Sequence, residues 1–359
     1  MTRIAYAVIH LKSLRHNVQQ VRSAVPTSKI MAVIKANAYG HGLLRVAKKL
    51  NDLVDGFAVA RVQEGVRLRK AGFKQRILVL EGFIETEELQ NLIDYGLEVS
   101  LHSWHQLNIL EQQVEQKKIT IWLKIDTGMN RLGFKATEFH LVYETLKACD
   151  IVKKPFNFMT HFANADDKKD FKTQQQIQLF KELTQCCDGE KSMANSAGIL
   201  AWQDSQTDWV RAGIMLYGIS PFPDSTGKQL NLKPVMSLHS HLIAVRDVLE
   251  GETVGYSGTW TSQTATKLGV VAMGYGDGYP RYAQNGTPVL VNGKRVPLVG
   301  RVSMDMITVD LGLNSTAKAG DEVILWGENL PIEEIAACSN TIPYTLVCGV
   351  TPRVEIIES

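Results

Sequence analysis

Val33-Ile34-Lys35-Ala36-Asn37-Ala38-Tyr39-Gly40-His41-Gly42, "VIKANAYGHG", closes an apolar, β-branched run on a lysine and then breaks into small and polar residues. A lysine at the end of a buried strand is costly unless it is paired, neutralised or covalently modified. Short apolar runs that stop at polar residues recur through the first two thirds of the chain. They cover Lys29–Lys35, Gly56–Ala60, Arg76–Glu81, Glu98–His102, Thr120–Asp126, Phe156–Asn164, Lys191–Ser196 and Val210–Gly218. Between them lie stretches with helical spacing: Leu14-x-x-Asn17-Val18-x-x-Val21, Val62-x-x-Gly65-Val66-x-x-Arg69, and Thr86–Gly96. Gly72 and Gly96 stand where helix C-caps are expected. Eight strands alternating with helices over about 220 residues predict an α/β chain with an N-terminal (β/α)8 TIM-type barrel. An open doubly wound sheet gives the same periodicity.

After the loop Ser220-Pro221-Phe222-Pro223-Asp224-Ser225-Thr226-Gly227 the helical pattern fades. Strands are predicted at Ser237–Val245, Lys267–Met273, Pro288–Val291, Val296–Val299, Met306–Asp310 and Glu322–Trp326, with one helix near Ile332–Cys338. Asn285-Gly286 and Asn292-Gly293 are hairpin signals. The expected domains are therefore 1–232, the barrel, and 233–359, a mostly-β C-terminal domain. A length of 359 residues suits two domains.

With 45% hydrophobic and 21% charged residues and a net charge of +2, nothing in the composition points to nucleic acid or an anionic membrane as partner. The stretch MTRIAYAVIHLKSLRHNVQQ breaks its apolar run with His10, Lys12 and Arg15, so it lacks a signal-peptide core. No apolar run approaches the roughly twenty residues of a membrane helix. Five cysteines, Cys149, Cys186, Cys187, Cys338 and Cys348, show no metal-ligand spacing, and the expectation is free thiols in a reducing cytoplasm.

In a barrel of this kind the chemistry sits at the C-terminal ends of the strands. The polar residues there are Lys35 and Tyr39, then Lys124, Asp126 and Arg131, then His161 and Asn164, Asn195 and Ser196, and Arg211. The set contains no carboxylate pair for glycoside hydrolysis and no His/Glu cluster for a metal. It also lacks a dinucleotide fingerprint or P-loop. A lysine with few acids around it suits Schiff-base chemistry, in which a neutral amine attacks a carbonyl. The alternative is a lysine that snorkels at a strand end.

"VIKANAYGHG" resembles the cofactor-lysine motif of the alanine racemases, pyridoxal-phosphate enzymes built of a barrel and a β domain. "LKIDTGMNRLGF" (Leu123–Phe134), "MTHFANAD" (Met159–Asp166), "NSAG" (Asn195–Gly198) and "VRAGIMLYG" (Val210–Gly218) follow in order. So do "VGYSGTW" (Val254–Trp260), "GYGDGYPR" (Gly274–Arg281), "VGRVSMDM" (Val299–Met306) and the region of Tyr344. Departures are Ile9-His10, where an acidic residue is more usual than histidine, and Asn130 within the GM-x-R element.

The resemblance implies that Lys35 holds pyridoxal phosphate as an internal aldimine and, once freed, serves as one base at Cα. A free lysine titrates near about 10.4, so such a base needs burial or nearby positive charge to lower it. Tyr256 would be the opposed base, given to the site by the β domain of a partner chain. The implied enzyme is a homodimer with shared active sites, Lys35 serving the D-side proton and Tyr256 the L-side. Arg211 would face the pyridine nitrogen and keep the ring neutral, disfavouring a long-lived quinonoid. Taken alone, Arg211 could equally be a salt-bridge residue, Asn195-Ser196 a helix cap, His161 structural and Tyr256 an ordinary strand-end residue.

By the same resemblance Tyr39, Ser196, Tyr344 and the amides near Gly213 and Ile214 would hold the phosphate, with His161 supporting the ring and Arg211. Arg131 would contact the substrate carboxylate, positioned by a carbamylated Lys124, and Met304 would add a backbone contact with Asp305 beside it. Tyr275 and Tyr344 would form the inner gate of the substrate channel, and Asp166, Arg281, Arg301 and Ile342 its outer ring. The implied activity interconverts L- and D-alanine, supplying D-alanine for bacterial peptidoglycan or breaking it down. A broader-specificity racemase on the same fold is the alternative. A basic amino-acid decarboxylase is disfavoured because it needs no opposed base.

Overall fold

In a computed structural model, which describes residues 4–113 and 117–359, the eight apolar runs form eight parallel strands. They are Lys29–Val33, Gly56–Val59, Arg76–Val79, Glu98–Leu101, Ile121–Asp126, Asn157–Met159, Lys191–Ser192 and Trp209–Ala212. Each pairs with the next, and the last pairs with the first, Arg211 standing opposite Met31. The sheet is therefore closed, which removes the doubly wound alternative. Closure buries both faces, so Gly56–Val59 and Glu98–Leu101 are buried at every residue and read as continuous rather than alternating runs. Several runs overshoot their strands. The first stops at Val33, the sixth is only Asn157–Met159, and the eighth gives way to a tight turn at Ile214–Tyr217. Gly72 and Gly96 do end helices, with φ of 92° and 56°.

The chain divides into two units. One holds Asn17–Ala38 and Gly42–Leu216; the other holds the described part of Met1–His16, Tyr39–His41 and Tyr217–Ser359. The second unit takes in three stretches that precede residue 233: the described part of Met1–His16, Tyr39–His41 and Tyr217–Leu232. Tyr6–Ile9 pairs antiparallel with Met236–Val248 and parallel with Glu355–Glu358, so it is a strand of the β unit. The order of the main sheet is Lys294–Pro297, Pro288–Val291, Glu322–Trp326, Met236–Val248, Tyr6–Ile9, Glu355–Glu358. Thr266–Val271 pairs with the far half of Met236–Val248, and Ile307–Asp310 pairs with Thr266–Val271. Asn292-Gly293 does turn a hairpin, between Pro288–Val291 and Lys294–Pro297. Asn285-Gly286 does not: the Asn285 side chain accepts from Gly300 N (2.7 Å) and donates to the Thr259 carbonyl (3.1 Å), bridging two loops.

The N-terminal ends of the barrel strands are shut by an ion-pair network. Arg76 pairs with Glu98 and with Glu190 (2.5 Å), and Lys29 pairs with Glu190 (2.6 Å). The Arg76 guanidinium lies 4.7 Å from the Trp209 ring centroid, and Trp122 Nε1 donates to Glu98 (2.7 Å). Chemistry is thereby confined to the other end of the barrel. At that end Lys35 opens a left-handed helical turn: φ/ψ is 52°/53° at Ala36, 54°/42° at Asn37 and 54°/51° at Ala38, with φ 52° at Tyr39. Each such residue costs roughly 1–2 kcal/mol against the right-handed form. Hydrogen bonds offset part of this, from Ala38 N to the Ile34 carbonyl (2.9 Å), Gly42 N to the Asn37 carbonyl (2.9 Å) and Leu43 N to Asn37 Oδ1 (2.9 Å).

Two stability predictions follow from these features. Burial pushes the Glu190 carboxyl up, but hydrogen bonds from Lys29 and Arg76 outweigh it and bring the value from 4.5 to about 2. The stabilisation is therefore present above about 4.5 and lost as pH falls through about 2. Glu190→Gln should lower the unfolding free energy at neutral pH by on the order of 2 kcal/mol and flatten the acid limb, read by urea unfolding across pH. At exposed Ala36, glycine relieves the left-handed strain. Ala36→Gly should raise stability by about 1 kcal/mol, and Ala36→Val should lower it, in the same measurement.

Candidate active site

The C-terminal ends of the barrel strands gather positive charge. Arg211 is 3% exposed and makes no ion pair among the described residues. Its Nη1 donates to the Ser192 carbonyl (2.9 Å) and Ser192 Oγ (2.6 Å). Its Nη2 donates to the carbonyls of Thr160 (2.6 Å) and Met193 (3.1 Å) and to His161 Nδ1 (3.3 Å). Burial lowers the guanidinium to about 10, so it stays charged at neutral pH. Arginine cannot accept a hydrogen bond, so His161 Nδ1 is the acceptor and Nε2 carries the proton. Burial, then Arg211, Lys124, Arg131 and Lys35, push the imidazole well below its usual value, and the ring is neutral.

Lys124 is 7% exposed and has no hydrogen bond or ion pair among the described residues. Burial, then Arg211, Arg131 and Lys35, lower its amine to about 8, against a smaller opposing pull from Asp126. That carboxylate is already engaged. Asp126 Oδ1 accepts from Gly128 N and Asn130 N (3.0 Å each), and Oδ2 pairs with Lys135 (2.6 Å). The clamp shapes the turn that presents exposed Arg131, and Asn130 sits in it at φ 58°, a conformation asparagine tolerates. Lys35, Lys124, Arg131 and Arg211 thus act together on neutral His161, and the one acid that acts on Lys124, Asp126, is engaged elsewhere.

Ser196 Oγ accepts from Gly213 N (3.0 Å) and Met215 N (3.3 Å), next to Ile214. Asn195 is indeed a helix cap, its Oδ1 accepting from Gly198 N (2.9 Å). Asp166 is exposed on the loop after strand six. Several supporting groups escape a reading of the sequence. Buried Gln176 accepts from Ala163 N and donates to Thr127 Oγ1 and the His161 carbonyl (3.1 Å each), tying two strand-end loops together. The available signal was a glutamine on the same helix face as Ile177 and Phe180, where an apolar residue is expected.

The other unit carries the remaining candidates in three groups. Tyr39 packs against Tyr217 (4.7 Å between centroids) and Tyr344 (5.9 Å), and burial, then Tyr344 and Cys348, raise its phenol. Tyr344 lies on the short helix Pro343–Gly349, which the sequence pattern did not reveal, and exposed Ile342 precedes it. Tyr256 is 66% exposed on a tight turn, and Arg301 donates to Ser257 Oγ (3.3 Å) in that turn. Tyr275, under the Arg281 guanidinium (5.9 Å), lies on a loop bonded to the one bearing Met304 and Asp305.

Known proteins share this fold. Residues 9–221 match the family model "Alanine racemase, N-terminal domain" and residues 235–358 match "Alanine racemase, C-terminal domain". An alanine racemase of Vibrio parahaemolyticus is 52% identical over 354 residues, 99% of each chain. The crystal structure of the biosynthetic alanine racemase from Pseudomonas aeruginosa superposes with a TM-score of 0.97 at 40% identity, covering 100% of both chains. That of alanine racemase from Bartonella henselae, described with covalently bound pyridoxal phosphate, gives 0.91 at 30% identity over 100% of both. The chain belongs to the alanine racemase family.

Proposed function

We propose that this chain interconverts L- and D-alanine with pyridoxal phosphate, the cofactor of its family, by moving the Cα proton between two opposed bases. The observation that carries the reading is the cationic barrel mouth around Lys35, where the Asp126 carboxylate is already engaged by Lys135 and two backbone amides. A dianionic phosphate and a substrate carboxylate would supply the negative charge that the mouth lacks. The residues fit the cofactor in a second respect. Ser196 Oγ accepts from the Gly213 and Met215 amides, which leaves its own O–H to donate to a phosphate. Arg211 is held by backbone carbonyls rather than by an acid, so its outer surface can meet a pyridine nitrogen without protonating it.

Pyridoxal phosphate, when bound, withdraws electrons from the substrate Cα and so acidifies its proton. Lys35 anchors the cofactor and carries the proton on the D-side. Tyr256 of the partner subunit carries it on the L-side, in a homodimer that completes each site. Tyr39, Ser196, Tyr344, Gly213 and Ile214 hold the phosphate, with His161 bracing Arg211. Arg131 and the Met304 amide bind the substrate carboxylate. Tyr275, Tyr344, Asp166, Arg281, Arg301, Asp305 and Ile342 shape the substrate's path. No helix of the described residues is long and apolar enough to cross a membrane, and all five cysteines are free thiols. Both features support a cytoplasmic enzyme that supplies D-alanine for peptidoglycan or breaks it down.

Lys124 is positioned for carbamylation. Carbon dioxide reacts with the neutral amine, and a value of about 8 makes that form accessible near neutral pH. The carbamate would be an anion among Arg131, Arg211 and Lys35.

The central test is exchange of the Cα proton of each alanine enantiomer in deuterated water. The wild type should exchange both, and Lys35→Ala should exchange neither and lose the bound cofactor's near-ultraviolet absorption. Tyr256→Phe should keep the cofactor and lose exchange of L-alanine selectively; equal rates for both enantiomers in that variant would refute the two-base assignment. Isotope-labelled bicarbonate should give a carbamate resonance that rises with pH through about 8 and vanishes in Lys124→Gln. An unmodified ammonium at position 124 at high bicarbonate would rule the carbamate out.

A further inference from the structure

We infer that Arg353, which precedes the last strand Glu355–Glu358, is a positioning residue that fixes the direction of the Met304 N–H; this rests on the proposed function, in which that N–H meets the substrate carboxylate. Two loops of the β unit meet there, one running from Gly274 to Tyr279 and the other from Arg301 to Met306. Tyr275 N donates to the Ser303 carbonyl (3.1 Å) and Gly276 N to the Met304 carbonyl (2.8 Å). In a trans peptide the C=O and the following N–H point in opposite directions. With the Ser303 carbonyl turned toward Tyr275, the Met304 N–H in the same peptide plane is turned away from it. Met304 is 53% exposed, and its N–H donates to no group among the described residues. The result is an open donor whose direction is set by the opposite loop.

Arg353 bolts the two loops together. Its Nε pairs with Asp277 Oδ1 (3.2 Å) and its Nη2 with Asp305 Oδ1 (2.7 Å), one acid from each loop. Asp277 is 4% exposed, and its Oδ2 accepts from Gly274 N (2.9 Å), closing the Tyr275 turn. Thr351 adds two bonds to that turn, N to the Asp277 carbonyl (3.1 Å) and Oγ1 to the Gly276 carbonyl (2.9 Å). The approach is tight at Gly276, where a Cβ would lie 2.6 Å from Arg353 Nη1 and 3.0 Å from the Met304 carbonyl and would displace the guanidinium. A guanidinium spans two acids with fixed, divergent donors, whereas a lysine ammonium is a point charge on a flexible stem. Arginine at 353 is therefore required for geometry as well as charge.

The test uses the holoenzyme with Arg353→Ala and Arg353→Lys. Both should raise KM for L- and D-alanine, by about tenfold in Arg353→Ala, with kcat within about threefold of wild type, the split expected of lost carboxylate binding. Amide exchange at Tyr275 and Gly276 should quicken by at least about tenfold, with Thr266–Val271 unchanged, as expected for local opening. An unchanged KM in a folded variant, or faster exchange spread through the whole sheet, would each overturn the assignment. If Arg353→Ala fails to fold, Arg353→Lys carries the same readings. A wild-type holoenzyme that leaves both alanine enantiomers unchanged would overturn the proposed function, whereas normal racemisation with unaltered KM in the variants overturns the Arg353 assignment alone.

Discussion

Everything at the barrel mouth depends on one electrostatic constraint: several cationic groups occupy a confined, partly dry site whose nearest acting acid, Asp126, is already paired. Charges in such surroundings repel far more strongly than they do in water. The molecule meets the cost in three ways. Arg211 is solvated by backbone carbonyls, His161 is kept neutral, and the Lys124 amine is lowered to about 8. Each device leaves the site short of negative charge. The phosphate of the cofactor and the carboxylate of the substrate complete it, which is why the folding problem and the binding problem have one solution here.

The barrel separates these functions along its axis. At the N-terminal ends Arg76, Lys29, Glu98 and Glu190 neutralise one another and close the barrel against two tryptophans. At the C-terminal ends Asp126, the acid that acts on Lys124, is spent on shaping the Arg131 turn. The contrast between paired charge below and unpaired charge above marks the functional face on physical grounds. The left-handed turn at Ala36–Tyr39 belongs to the same economy of placement. It reverses the chain immediately after Lys35 and uses the small side chain of alanine and the tolerance of asparagine to do so.

Much of this was legible in the amino-acid order. The eight apolar runs, the C-cap glycines and the loss of helical spacing after Gly227 are local signals, and the structure bears them out as a barrel followed by a mostly-β unit. The N-terminal strand was not legible in that way. Tyr6–Ile9 alternates half-buried and buried residues, a pattern that says strand but not which sheet will receive it. Asn285-Gly286 has the composition of a hairpin, yet the Asn285 side chain is recruited by distant loops. The left-handed turn has no composition signal, since neither alanine nor tyrosine favours it. Among the site residues, those that carry chemistry stand out by type at strand ends. The groups that aim them, Gln176, Ser192, Thr160 and Arg353, are defined by contacts between segments remote in the chain.

In the proposed function the cofactor is bound through half-buried Lys35 at the cationic mouth rather than through the more deeply buried Lys124. Reduction of the cofactor-loaded protein with borohydride, followed by peptide mass mapping, decides this directly. The cofactor is predicted on the peptide containing Lys35 and nowhere else. A label on Lys124, or a protein that holds the cofactor with Lys35 unlabelled, would contradict it.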